Sequence, residues 1–183
     1  MRPAVLSDID KMVETITPDM GKGHFEIATP DDFRAMVERC INEGQSGVHP
    51  REVNTAAFVI EVEGRFAGFA AVRDNYFARL DPVFPQNTEE LWILSIAKDM
   101  RGHSLGKTLT IELMQKYSQD HLIAYCKEPS QQMIGILMSL GFIRMGKLRY
   151  SPDVTLLFFD MGGALSELKE RLRLHDSLAV ATS

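Results

Sequence analysis

The sequence predicts a single mixed α/β domain, built on a largely antiparallel sheet flanked by helices. Three observations carry that expectation. Two apolar runs, Phe58-Val59-Ile60-Glu61-Val62 and Phe66-Ala67-Gly68-Phe69-Ala70-Ala71-Val72, flank Glu63-Gly64-Arg65, which reads as an antiparallel hairpin closed by a glycine turn. A strand-length apolar run from Glu90 to Ala97 leads through Lys98-Asp99-Met100 into a turn with two glycines. After that turn Leu105, Leu109, Leu113 and Tyr117 recur every four residues, one stripe of an amphipathic helix. Downstream, strand and helix patterns alternate.

In chain order, a short extended piece precedes Ser7, a plausible N-cap, and Ile9, Met12, Val13 and Ile16 follow at helical spacing. Pro18 marks the stop. After Gly21-Lys22-Gly23-His24, Thr29 is placed to cap a second helix. Pro30 takes the first helical position there, and Asp31 and Asp32 sit at the positive end. Phe33, Met36, Val37, Cys40 and Ile41 form its apolar face. Asn42 to Asn54 is polar and glycine-containing, hence a loop. So is Arg73 to Glu89, whose length in a compact domain points to function. Leu122 to Cys126 is a short strand. Glu128-Pro129-Ser130 opens a helix with Met133, Ile134, Leu137 and Leu140 inward, and Gly141 closes it. Phe142–Met145 and Thr155–Phe159 read as strands, and Ala164–Leu174 as a charged amphipathic helix before a loose tail. The division is therefore a domain over residues 1–160 and a C-terminal helix and tail over 161–183.

Composition narrows the function. At 183 residues the chain is long enough to bury a core without staples. A hydrophobic share of 45% and a charged share of 25% are those of an ordinary globular domain. A net charge of −5 provides no basic footprint for nucleic acid. No apolar run approaches the ~20 residues of a membrane span. Cys40 and Cys126 lie far apart, which fits reduced thiols and a cytoplasmic location. His24, His49, His121 and His175 have no partner at ligand spacing, so no metal is expected.

Strand, glycine turn and helix together aim backbone N–H groups and a helix N-terminus at an anion, usually a phosphate. Two readings compete. Gly106-Lys107-Thr108 supplies the end of a P-loop, and Leu156-Leu157-Phe158-Phe159-Asp160 has the look of its magnesium strand. The first P-loop glycine, however, should stand at position 101, which is Arg101. The other reading is an acyl-CoA pyrophosphate loop.

The chain as a whole resembles the GNAT superfamily of N-acetyltransferases over roughly residues 2 to 160. Arg2-Pro3-Ala4 with Asp8 resembles the usual opening, and Glu63-Gly64-Arg65-Phe66-Ala67-Gly68-Phe69 the second and third strands. Leu94-Ser95-Ile96, then Arg101-Gly102-His103-Ser104-Leu105-Gly106, resembles the [Q/R]xxGx[G/A] acyl-CoA loop. Ser130 through Leu140-Gly141-Phe142 resembles the later helix with its Leu-Gly-Phe turn. The chain departs from the family at three positions. Ser104 replaces the second loop glycine, Ser130 stands for a frequent asparagine, and Leu137 for the tyrosine that often acts as general acid.

The resemblance implies direct attack of an amine, small-molecule or peptide, on the thioester of acetyl-CoA. The pyrophosphate is expected on Gly102, His103, Ser104, Leu105, Gly106 and Lys107, with Arg101 beside it and Ser130 nearby. The pantetheine arm is expected to pair with the backbone of Leu94 and Ile96, and an N–H near Ile96 to polarise the thioester carbonyl. Glu90, at the family's acidic position, is the candidate base, with Glu89 on the opposite face. Tyr125 is the candidate proton donor to the thiolate, with Cys126 and Tyr150 behind it. A second copy of the chain is a candidate partner. A module that holds acyl-CoA without turnover is the alternative that Ser104 and Leu137 keep open.

Overall fold

The computed structural model describes residues 1–24, 27, 29–46, 53–75, 88–117, 121–148 and 151–159. Its elements are β1 (Arg2–Pro3), α1 (Ile9–Ile16), α2 (Pro30–Glu43), β2 (Gln45–Ser46), β3 (Val53–Val62) and β4 (Arg65–Asp74), followed by β5 (Thr88–Ile96), α3 (Leu105–Lys116), β6 (His121–Lys127), α4 (Gln131–Ser139), β7 (Ile143–Leu148) and β8 (Ser151–Phe159). The sheet runs β1-β3-β4-β5-β6-β8-β7, with β2 paired to the start of β3. Every described pairing is antiparallel except β5 with β6. The mixed, largely antiparallel α/β class expected from the sequence is the class observed.

Alternation along the hairpin explains the two cores. Phe58, Ile60, Ala70 and Val72 face α3 and α4, where Leu109, Leu113, Ile134 and Leu137 pack on them. Val59, Phe69 and Ala71 face α1 and α2, against Met12, Ile16, Phe33 and Val37. A sheet covered on both faces reads as a continuous apolar run rather than an alternation, as these strands do. The connecting turn, Glu63-Gly64, has φ of 52° and 74°. That is the left-handed pair whose twist suits a tight hairpin.

Local chemistry accounts for most ends, with three corrections. Thr29 Oγ1 accepts the Asp32 N–H at 3.1 Å, as its place before Pro30 predicts. Gly141, at φ 95°, closes α4 by donating its N–H to Met138 O at 3.1 Å. Ser7 is not a cap. It lies inside a 3-10 turn over Leu6–Asp8, and the Asp8 carboxylate instead accepts the Val5 N–H at 2.8 Å. The polar segment after Ile41 is not all loop: α2 runs on to Glu43, Gln45–Ser46 forms β2, and Val53–Asn54 already belong to β3. Arg73–Asp74 and Thr88–Glu89 likewise extend β4 and β5 into the expected second loop. His49, Pro50, Arg51, Tyr76, Phe77, Phe84, Tyr150 and the 164–174 helix lie outside the described residues.

The P-loop alternative needs its second strand parallel to β5 and close by. Instead β8 runs antiparallel between β6 and β7.

Candidate active site

The site begins where two strands part. β5 pairs with β6 only at Thr88–Glu90 against His121–Ile123. Beyond that point β5 stays paired to β4 as far as Ile96, and β6 to β8 as far as Lys127. The two strands therefore diverge, and a cleft of about 540 Å³ opens between them. A bulge helps to aim β5. Val72 pairs with Leu91 and Ala71 with Ile93, so Trp92 is the additional residue. Ala97 donates its N–H to Ala67 O at 2.9 Å, on the β4 side. Since peptide groups alternate along a strand, those of Ile96 and Leu94 face the cleft, and Ile96 O is met there by Arg101 Nε at 3.0 Å.

The loop after β5 closes one end of the cleft. Gly102 (φ 86°) and Ser104 (φ 60°, ψ 13°) are both left-handed. A left-handed residue beside a right-handed one, as Ser104 stands before helical Leu105, gathers successive backbone N–H groups on one side. Ser104 O accepts the Thr108 N–H at 3.0 Å and starts α3, whose first-turn N–H groups have no acceptor within the helix. Gly106 is buried under Leu94, Ile96 and Ile136. A Cβ there would meet their side chains at 3.6–3.8 Å, ordinary contact, and all three residues line the cleft. Gly102, Ser104, Leu105, Gly106 and Lys107 all line it. His103 does not: its exposed ring lies with Nδ1 3.1 Å from Arg101 O and 3.3 Å from Met100 O.

Arg101 is already engaged. Besides Ile96 O, its guanidinium donates to Asp19 Oδ2 at 2.6 Å. Lys22 reaches the other oxygen of Asp19 at 3.1 Å. Burial alone would raise the Asp19 carboxyl, but Arg101 and Lys22 together hold it below the usual carboxylate range.

The expected catalytic residues separate. Tyr125 lines the cleft from β6. Cys126 beside it is buried, and burial pushes its thiol up to about 12. Glu90 is the inward member of the Glu89–Glu90 pair, 2% exposed. Both its oxygens accept from Arg73, Oε2 from Nε and Oε1 from Nη2, each at 2.9 Å. The guanidinium in turn lies 4.1 Å from the Trp92 ring centre. Glu90 thus stands as the anchor of Arg73, whose guanidinium also lies over Trp92, a residue that lines the cleft. Leu137, at the family's tyrosine position, is wholly buried in the α3–α4 core.

Ser130, at the start of α4, does line the cleft, and it brings a residue that sequence reasoning left out. His24, on the loop after α1, lies with Nδ1 3.0 Å from Ser130 Oγ. A Cβ added to Gly23 beside it would meet the Pro129 ring at 3.5 Å. Asp19 and Arg73 were missed in the same way. Each meets its partner through the fold, across 82 residues for Asp19–Arg101 and 106 for His24–Ser130, and no local pattern announces such a pair. Among the described residues no three His, Cys, Asp or Glu side chains gather as a metal site. No described helix is long and apolar enough to cross a membrane.

A family model described as the acetyltransferase (GNAT) family matches residues 16–142. No curated protein matches the chain in sequence. Solved structures match in fold. A ribosomal-protein-alanine N-acetyltransferase from Brucella melitensis superposes with a TM-score of 0.61 at 20% identity, over 86% of this chain and 95% of that one. The protein yncA from Salmonella typhimurium, with its cofactor acetyl-CoA, gives 0.62 at 17%, over 88% and 92%. A mutant spermidine N-acetyltransferase from Vibrio cholerae gives 0.61 at 13%, over 86% and 91%.

Proposed function

The chain belongs to the acetyltransferase (GNAT) family, and on that premise we propose that it transfers the acetyl group of acetyl-CoA to a primary amine by direct attack. One observation carries the reading: the diverging β5–β6 cleft runs into the left-handed loop at the N-terminus of α3. A pyrophosphate on the N–H groups from Gly102 to Lys107 gains from both the turn and the helix dipole. Arg101 gives up Ile96 O to reach the phosphate, with Lys107 as a second cation and His103 at the rim. That exchange frees the cleft-facing peptides of Leu94 and Ile96 to pair with the pantetheine arm, and the Ile96 N–H polarises the thioester carbonyl. Ser130 flanks the arm, and Tyr125 donates a proton to the departing thiolate.

The acceptor is a primary amine of a small molecule or a peptide, in keeping with the polyamine and ribosomal-protein-alanine substrates named for two proteins of the same fold. The test is release of free CoA thiol from acetyl-CoA in the presence of spermidine, a lysine-containing peptide, or a peptide with N-terminal alanine. Amine-dependent thiol release is the expected result. Bound acetyl-CoA with no thiol released by any of these amines would leave amine acylation without support.

A further inference from the structure

Direct attack needs a neutral amine, so a proton must leave the acceptor, and at the family's two familiar proton-handling positions this chain has a carboxylate paired with an arginine and a leucine. Glu90 has both oxygens on Arg73, and Leu137 is an apolar side chain inside the core. We propose that His24, acting through Ser130, takes up the proton that the acceptor ammonium loses. The inference rests on the acetyl-transfer reading above.

The geometry is a hydrogen-bonded pair on the cleft wall. Ser130 Oγ and His24 Nδ1 lie 3.0 Å apart, and both residues line the cleft that holds Tyr125 and the peptides of Leu94 and Ile96. The pair is held from two sides. Ser130 donates its N–H to Lys127 O at 2.9 Å, and its own O accepts the Ile134 N–H at 3.0 Å. On the other side, the backbone at Gly23 runs close enough to Pro129 that a Cβ there would meet its ring at 3.5 Å.

The other charged or titratable groups facing this cleft are unsuited to the task. Asp19, on the same loop, is held charged by Arg101 and Lys22, which makes it a weak base. Arg101 and Lys107 are cations. Cys126 keeps its proton, because burial pushes the thiol up to about 12. Tyr125 is assigned to the departing thiolate in the reading above. Imidazole is the side chain that exchanges protons near neutrality.

The step balances without a redox partner. One ammonium proton passes to Ser130 Oγ as the Ser130 hydroxyl proton passes to His24 Nδ1. The freed nitrogen lone pair then forms the C–N bond at the thioester carbonyl. The C–S bond breaks with its electron pair on sulfur, Tyr125 protonates that thiolate, and the second nitrogen proton returns to Tyr125 through water. His24 releases its proton to solvent.

Two measurements test this on the full chain. In steady-state kinetics with acetyl-CoA and the amine from the set above that the wild type uses best, His24→Gln and Ser130→Ala should each lower kcat/KM by about 100-fold or more. Both should also remove the rising acid limb of the pH profile, while each variant still binds acetyl-CoA by calorimetry. Ser130→Thr, which keeps a hydroxyl, should retain rate and limb. In nitrogen-detected NMR without substrate, Ser130→Ala should shift the His24 Nδ1 resonance and tautomer balance, and Ser130→Thr should not. An acid limb that survives His24→Gln, or an Nδ1 signal unmoved by Ser130→Ala, overturns the inference while leaving acetyl transfer standing. Loss of acetyl-CoA binding in both variants also overturns it, by assigning the pair to the cofactor. A wild-type protein that binds no acetyl-CoA removes the acetyl-transfer reading and this inference with it.

Discussion

Ser104 occupies a backbone conformation that L-residues enter at a cost of about 1 kcal/mol, at φ 60° on the loop that leads into α3. Ser104→Gly should relieve that strain, offset in part by the greater freedom of glycine in the unfolded chain. A net gain of about 0.5 kcal/mol in a denaturant melt is expected, with acetyl-CoA binding as good or better. The helix start is kept, because Thr108 bonds to the backbone carbonyl at 104. Asp8 makes a second residue-scale prediction. Its carboxylate accepts from Arg2 Nη1 and Nη2 at 2.8 and 2.9 Å and from the Val5 N–H. Arg2 is the main cause holding its carboxyl low, against burial and with help from Val5. A carboxyl depressed in the folded state binds fewer protons there than in the unfolded chain. Its stabilisation is therefore present above about pH 4 and is lost as pH falls through the folded-state value. Asp8→Asn should cost about 2 kcal/mol at pH 7. The gap in Tm between variant and wild type should close in acid; a gap independent of pH would show that packing, not charge, sets it.

At the scale of elements, Gly68 fixes how closely β4 approaches β5. A Cβ there would lie 2.6 Å from Ser95 O and 2.7 Å from Ile96 Cδ1, contacts that force the backbone apart. Gly68→Ala should destabilise by about 1–3 kcal/mol and weaken acetyl-CoA binding, because the peptide of Ile96 moves with its strand. A variant that melts and binds like wild type would mean that β5 has slack. The hairpin, the β5–loop–α3 unit and the closing glycine of α4 were all legible in the sequence, since each is set by residues within one turn or one strand of each other. Other features were not. The bulge at Trp92 depends on how two strands match across a register, and the extension of β3 back to Val53 depends on β2 pairing with it. Ser7 failed as a cap because Asp8, one residue later, has a carboxylate that Arg2 and Val5 both reach.

For the whole molecule, the central claim is that one cleft, opened by β5 leaving β6, holds acetyl-CoA with its pyrophosphate on the α3 loop. The loop itself could be read from its residues. Which of Glu90, Tyr125 and His24 shares the cleft could not, because the answer depends on a bulge that turns β5 and on a loop from α1 that meets α4 only in the fold. Isothermal titration of acetyl-CoA into wild type and Gly106→Glu, with ATP–magnesium as the control ligand, tests the claim most directly. The carboxylate of the variant would fill the space above the loop and repel a phosphate, whereas Gly106→Ala adds only ordinary contact with Leu94, Ile96 and Ile136. The account predicts acetyl-CoA binding to wild type and Gly106→Ala, no binding to a folded Gly106→Glu, and no heat from ATP–magnesium. Undiminished acetyl-CoA binding by folded Gly106→Glu, or wild type that binds only the nucleotide, would contradict it.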